Sequence, residues 1–451
     1  MCCCETRQRA PVLPERSGAR KSPGRWAIRR LRPRLPAYDF GVSESDTTLP
    51  LIPHSGDAGL VSHDARLLRI PRGPVLDLDT SGVAAADSWP RVDLQGPRCF
   101  TVSGRTAILH GLRQLGVTRD DRVLVPTYHC PTMVEPLQVL GAEPLFYPIT
   151  QQGRADLDAL RRADLRGAKA MLCAHFFGLP LDMTPVRAFC DEHGLRMVED
   201  CAHAYFGRSA VAPLGSLGDV AIASLPKFFP VVEGGCLVSR ASGLPRLRGP
   251  GWLHELRTAW DSFELGAASG RLGRTGAAVR GLARLKNRLR HRSPEPAADT
   301  PASADTASPY RTIDAQRADR RAAHFVEWVV THADVQRIVS ARRRNYRRFA
   351  TAFEGAVGVR ALFPDLPDGA APYVFPLWVD QPTRAYSAVR ALGVPLYRWD
   401  IVWPGTPTLP GDVGPQWSTH VFQLVCHQSM TDEDVDLVAA AVRRQCAEGA
   451  P

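Results

Sequence analysis

Residues 197–240 gather an acid, a histidine and a lysine between short apolar runs. Met197 and Val198 close one such run, which reads as the end of a buried strand. Glu199 and Asp200 then stand at its carboxyl tip, where open α/β sheets bind ligands. Residues 218–225 read as a second buried strand, and Lys227 follows in a segment that Pro226 and Pro230 keep from becoming helix. The chain carries 56 Lys plus Arg, of which four are lysines: Lys21, Lys169, Lys227 and Lys286. Where arginine supplies nearly all the positive charge, a lysine in an apolar setting points to use as a deprotonatable amine, which arginine cannot provide. Alone, Lys227 reads as an ordinary cation at a strand end. Together with Asp200 and His203 it points to a Schiff-base lysine.

At 451 residues the chain has room for a large domain and a smaller one, each with its own core. Hydrophobic residues at 44% and charged residues at 23% are ordinary for a globular protein, and no apolar run approaches a membrane span. The opening MCCCETRQRA lacks the apolar core of a secretory signal, so the eleven cysteines read as cytosolic thiols and a cytoplasmic location is expected. Cys2, Cys3 and Cys4 have neither C-x-x-C spacing nor a histidine pair nearby, and no metal site is expected. Of the net charge of +10, much sits in the first forty residues, where ten Lys and Arg face three acids amid Pro, Gly and Ser. A disordered basic leader over residues 1–60 is expected, and with no folded nucleic-acid motif behind it, nucleic-acid binding is a minor reading.

Little function is legible over residues 38–96. From residue 99 the pattern sharpens: a strand at 99–103 runs into Gly104, Arg105 and Thr106 and a helix whose Ile108, Leu112 and Leu115 share one face. Such a turn presents free N–H groups and the positive end of a helix dipole, a seat for phosphate. Strands at 122–125, 144–147 and 169–175 alternate with helices near 132–140, 157–163 and 185–192, which argues for a mainly parallel α/β sheet covered on both faces. Residues 61–240 are therefore expected to form a large domain. A helical insertion is expected over 241–345, with a Pro/Ala/Ser linker near 293–308, and a smaller α+β domain over 346–451. The arginine run 342–348 reads as the solvated face of a helix. Tyr397, Arg398, Trp399, Asp400 and Trp403 combine a cation with aromatics, suited either to a nucleotide or sugar ring or to packing.

Ser103-Gly104-Arg105-Thr106-Ala107 resembles the S-G-T-A-A phosphate turn of the DegT/StrS-type aminotransferases, and Leu124-Val125-Pro126 their V-I-V-P. His175-Phe176-Phe177-Gly178 with Asp182-Met183 resembles their H-L-Y-G and D-M, and Glu199-Asp200-Cys201-Ala202-His203 their E-D-A-A-[QH]. Gly215-Ser216-Leu217-Gly218-Asp219, Glu233-Gly234-Gly235 and the final Leu424-Val425-Cys426-His427-Gln428 also match, in order. The resemblance implies the fold-type-I architecture, a pyridoxal 5'-phosphate cofactor and a homodimer. It implies transfer of an amino group from a donor such as glutamate to a keto group, most often on a nucleotide-linked sugar for polysaccharide or secondary-metabolite biosynthesis.

Carried over by position, Lys227 implies the cofactor-bearing lysine and proton carrier, and Asp200 the partner of the pyridine nitrogen. His203 implies a neighbour of the phenolic oxygen, and Ser103, Gly104, Arg105, Thr106 and Ser224 the phosphate site. The sequence departs from the pattern in places. Arg105 replaces a threonine, Ser224 lies three rather than five residues before Lys227, and Phe228 stands where an asparagine is usual. The aromatic that stacks on the cofactor ring aligns with Cys130, leaving Tyr128 or His129 as alternatives. A catalytically silent regulator or carbohydrate-binding protein on the same fold is the second reading, against which the retained Lys227 and Asp200 argue.

Overall fold

The computed structural model describes residues 66–77, 80, 89–240, 243–290 and 313–447, with only the backbone of 286–290. The expected leader over 1–60, the cysteines Cys2 to Cys4 and the linker near 293–308 lie outside the described residues.

Seven strands form the larger sheet: β1 (Arg98–Thr101), β2 (Arg122–Pro126), β3 (Glu143–Tyr147), β4 (Ala168–Ala174), β5 (Arg196–Asp200), β6 (Val220–Ser224) and β7 (Gly235–Ser239). Their order is β1-β7-β6-β5-β4-β2-β3, and every strand runs parallel to the others except β7, which is antiparallel to both β1 and β6. Strands β6 and β7 are buried nearly end to end, as expected for a sheet covered on both faces. The crossovers carry α1 (Gly104–Gln114), α2 (Pro131–Leu140), α3 (Leu157–Arg161) and α4 (Thr184–Glu192). Within α1 the buried Ile108 and Leu112 lie one turn apart, and the helix packs on β6 and β7.

Next come α5 (Trp252–Ala268), α6 (Gly273–Arg290), α7 (His324–His332) and α8 (Val335–Phe353). Helix α5 inverts the usual pattern: it buries Thr258, Ser262 and Gly266 and leaves Trp252, Leu253 and Leu256 exposed. A second sheet, antiparallel throughout and ordered β10-β11-β9-β8, is built from β8 (Val359–Ala361), β9 (Val374–Val379), β10 (Leu396–Tyr397) and β11 (Val421–Val425). Helices α9 (Pro382–Ala391), α10 (Gly414–His420) and α11 (Asp432–Ala447) accompany it. Helix α11 starts on a reciprocal cap, in which Thr431 Oγ1 accepts from Asp434 N and the Asp434 carboxylate accepts from Thr431 N. One apolar core runs from Leu124 and Val198 of the larger sheet to Phe375 and Phe422 of the smaller. None of the described helices is long and apolar enough to cross a membrane.

Two expectations need correction. The arginine run is not a solvated face throughout: Arg342 is fully buried and Arg343 nearly so, while Arg344 and Arg347 are exposed, because α8 turns the first two toward the body of the protein. The segment that carries Lys227 is helical for one turn of 3-10 type, Leu225–Lys227, since proline is tolerated within a first helical turn.

Candidate functional site

Parallel strands bring their carboxyl ends to one edge of the sheet, and antiparallel β7 brings its amino end there. A cavity of about 600 Å³ lies along that edge. Its wall takes Ser103 to Thr106 after β1, Cys130 after β2, His175 and Phe176 after β4, Asp200 and His203 after β5, and Ser224 and Lys227 at the end of β6.

Helix α1 opens on this wall. Ser103 Oγ accepts from Thr106 N at 3.3 Å, and Thr106 Oγ1 accepts from Ser103 N at 3.0 Å, a reciprocal cap that fixes the first turn. Its start presses against the tip of β6: a Cβ on Gly104 would lie 3.3 Å from Ser224 Cβ. The positive end of the helix therefore meets the cavity beside the Arg105 side chain and Ser224.

Asp200 is 4% exposed, and one of its carboxylate oxygens accepts from Ala202 N at 2.8 Å. Burial pushes its carboxyl pKa up, against the opposing pull of the Ala202 N–H, Lys227 and His175. Burial likewise lowers the pKa of Lys227, opposed by Cys130 and Asp200. Lys227 keeps part of its surface open to the cavity, and its Nζ stands 5.2 Å from the centre of the Tyr373 ring. His203 is buried, its ring 4.5 Å from Tyr373 and 4.8 Å from Trp399 between centres. Its Nδ1 accepts from Phe177 N at 3.3 Å, so the neutral ring carries its proton on Nε2. Burial, reinforced by Lys227, holds its pKa well below the usual histidine range.

The acid beside Asp200 does different work. Glu199 Oε1 accepts from Gly215 N at 2.7 Å and from His175 Nε2 at 3.1 Å, and Oε2 accepts from Leu217 N at 2.9 Å and Gly218 N at 3.0 Å. The G-S-L-G-D stretch is thus folded around a buried carboxylate, whose pKa the His175 and backbone donors hold down despite its burial. His175, Glu199 and Cys201 lie close enough together to hold an ion, but the carboxylate oxygens are already engaged by N–H donors and His175 Nδ1 accepts from Leu181 N. Gly178 is required for its backbone. It sits at φ +86, and a Cβ there would press into Tyr373 N and the His203 carbonyl.

Of the alternatives for a ring-stacking residue, Cys130 faces the cavity. Tyr128 lies behind the wall among Phe176, Phe177, Trp399 and Trp417, its hydroxyl accepting from Gln423 Nε2 at 3.1 Å. His129 is also behind it: Nδ1 meets the Pro126 carbonyl at 2.9 Å and Nε2 accepts from Trp403 N at 2.9 Å. The cluster near 397–403 divides between its two readings. Tyr397 and Trp399 line the cavity, whereas Arg398 lies over the rings of Tyr386 and Phe422.

Arg72, Gly73 and Pro74 form part of the wall, which corrects the expectation of little function over residues 38–96. They are pinned by the C-terminal motif: His427 Nε2 meets the Pro71 carbonyl at 2.9 Å, and Ser429 Oγ accepts from Val75 N at 3.1 Å. Tyr373 also lines the cavity, and no motif singles it out. Its signal was position, one residue before β9, which the sequence alone does not map onto Lys227.

Residues 98–287 match the DegT/DnrJ/EryC1/StrS aminotransferase family. The chain is 30% identical over 199 residues to UDP-N-acetyl-3-dehydro-alpha-D-glucosamine 3-aminotransferase of Acidithiobacillus ferrooxidans, a match covering 42% of this chain and 51% of that protein. It is 34% identical over 145 residues to GDP-perosamine synthase of Vibrio cholerae, covering 31% of this chain and 40% of that one. The chain thus spans about half the length, or less, of these curated relatives. Among solved structures, Helicobacter pylori PseC, an aminotransferase involved in the biosynthesis of pseudoaminic acid, matches with a TM-score of 0.56 at 13% identity, covering 82% of this chain and 99% of that chain. At that identity the likeness speaks for the fold, which is the fold-type-I α/β architecture.

The DegT/StrS-type family implies pyridoxal 5'-phosphate, and the donor set here fits it. A capped helix start, a serine and an arginine suit a phosphate. A buried carboxylate with only one oxygen hydrogen-bonded by the described residues suits a cationic ring N–H, and a buried amine suits an aldehyde.

Proposed function

We propose that the protein is a pyridoxal-phosphate-dependent aminotransferase that moves an amino group from an amino acid such as glutamate to the keto group of a nucleotide-linked sugar. The convergence of Lys227, Asp200, His203 and the capped start of α1 on one cavity carries this reading. Bound pyridoxal phosphate supplies an electron sink for charge developing at the carbon that bears nitrogen. Lys227 Nζ would be its anchoring amine and the base that moves the proton at that carbon. Burial, by lowering the proton affinity of Nζ, favours the form that can accept. The open oxygen of Asp200 would hold the ring N–H, and a cation there would offset the cost of a buried carboxylate. His203, protonated on Nε2, would donate to the phenolic oxygen. Ser103, Gly104, Arg105, Thr106 and Ser224 would bind the phosphate, and Phe176, Tyr373 and Trp399 would keep water from the reacting face.

The nucleotide-sugar substrate is supported by the names of the relatives and by Tyr397 and Trp399 on the wall. A cytoplasmic location is part of the same reading. So is a homodimer, supported by the exposed Trp252, Leu253 and Leu256 on α5. We divide the chain at residue 240 and again ahead of α8, because a boundary at 345 would cut a helix that runs unbroken from Val335 to Phe353, supported by seven strands before the first boundary and four after the second. The test is a half-reaction. Protein loaded with pyridoxal phosphate and mixed with glutamate should release one equivalent of 2-oxoglutarate per site, then aminate a keto sugar nucleotide. No keto acid from glutamate or any other amino donor would contradict the proposal.

A further inference from the structure

The deepest cation among the described residues is one that the catalytic reading does not use. Arg342 on α8 is 0% exposed, and among the described residues no carboxylate pairs with it. Burial lowers its pKa to about 10. Its N–H groups go to neutral oxygens on three separate segments. Nη2 donates to the Lys227 carbonyl at 2.7 Å, Nη1 to the Pro372 carbonyl at 3.0 Å and the Tyr373 carbonyl at 3.4 Å, and Nε to Gln428 Oε1 at 3.1 Å. Gln428 Nε2 in turn donates to the Phe228 carbonyl at 2.8 Å, and the guanidinium lies 4.6 Å from the Phe228 ring centre. An arginine buried without a counter-charge is a costly way to fill space that an apolar side chain would fill better. What it supplies here is direction.

The turn that carries Lys227 ends in carbonyls that no further helical turn satisfies, and Pro226 and Pro230 beside it have no N–H to offer. Arg342 and Gln428 take the two carbonyls at the end of this turn, those of Lys227 and Phe228. The same guanidinium holds Pro372 and Tyr373, whose ring faces Lys227 Nζ and packs on His203. We propose that Arg342, with Gln428, is the positioning residue of this site, fixing both the backbone from which Lys227 projects and the aromatic ring that its amine faces. The catalytic consequence rests on the aminotransferase reading, while the geometric claim stands apart from it.

If the turn relaxes, Nζ regains water, and the burial that lowers its proton affinity is lost. The chain has only four lysines, so each can be followed separately. Apo-protein is treated with formaldehyde and cyanoborohydride across a range of pH, and the methylation of each lysine is read by peptide mass spectrometry, with exposed Lys169 as the internal reference. In Arg342→Lys and Gln428→Met the midpoint for Lys227 should rise toward that of Lys169. In the loaded enzyme kcat should fall at least about tenfold, with KM for the amino donor within about twofold. A Lys227 midpoint that stays at the wild-type value in a folded variant overturns the proposal, even if the melting temperature falls. If Arg342→Lys does not fold, Gln428→Met decides alone. Wild-type protein that takes up no pyridoxal phosphate would remove the aminotransferase reading only, because the methylation midpoints are read without cofactor.

Discussion

Replacing Glu199 by glutamine tests whether the G-S-L-G-D stretch is folded around a carboxylate. The substitution keeps size and shape but turns one acceptor oxygen into an NH2 group. Each oxygen of Glu199 accepts two hydrogen bonds, Oε1 from Gly215 N and His175 Nε2, and Oε2 from Leu217 N and Gly218 N. Whichever way the amide turns, two donors lose their acceptor and face another donor. Hydrogen bonds to a charged acceptor are worth about 1.5 to 3 kcal/mol each, so the loss should be about 3 kcal/mol or more. Urea unfolding at neutral pH followed by tryptophan fluorescence would measure it. A destabilisation below about 1 kcal/mol would refute the reasoning, since it would mean that the loop finds its bonds elsewhere. Asp200 lies next along β5 and points to the opposite face, so the folded fraction should still take up cofactor.

Asp200→Asn should lower turnover at least about a hundredfold while leaving the melting temperature unchanged or higher, because burial disfavours the ionised carboxyl; steady-state kinetics and a thermal melt check both. Stability should fall in acid. His129 is lowered to about 4 and His427 to about 3 from an ordinary 6.5, so below about pH 6.5 the unfolded chain binds more protons than the folded one, and stability declines until those folded values are reached. Between pH 7 and pH 5 each should contribute a loss of about 2 kcal/mol. Denaturant unfolding at the two pH values reads the loss, and His427→Gln should remove one share of it. Gly178→Ala forces a Cβ into the Tyr373 amide at a positive φ and should cost more than about 2 kcal/mol, seen as a lowered melting temperature or loss of soluble protein.

Much of this site was legible because its residues follow strands. Asp200, His203, Ser224 and Lys227 stand just past apolar runs whose ends a parallel sheet must bring to one edge, so reading the strands placed them. Local rules also served α1, where Ser103 and Thr106 cap their own helix. What stayed hidden comes from elsewhere in the chain. Arg72 and Tyr373 reach the cavity through tertiary packing that no spacing encodes, and Arg342 belongs to a run of charge that ordinarily signals a solvated helix face. Tyr128, an alternative stacking residue only by its nearness to the aligned Cys130, is turned into the core by contacts with Phe176, Trp399 and Trp417. The antiparallel insertion of β7 between β1 and β6 was likewise beyond periodicity, which reports burial and not direction.

The central claim is that Lys227 is the amine that binds and works on pyridoxal phosphate. The direct measurement is the visible spectrum of purified protein with added pyridoxal phosphate, followed by borohydride reduction and peptide mapping, alongside Lys227→Ala. A visible absorbance band that disappears on reduction, with the label on Lys227 and no band in the variant, is the predicted result. A folded wild-type protein with no band and no labelled lysine, or a label on Lys169 with activity retained in Lys227→Ala, would contradict it.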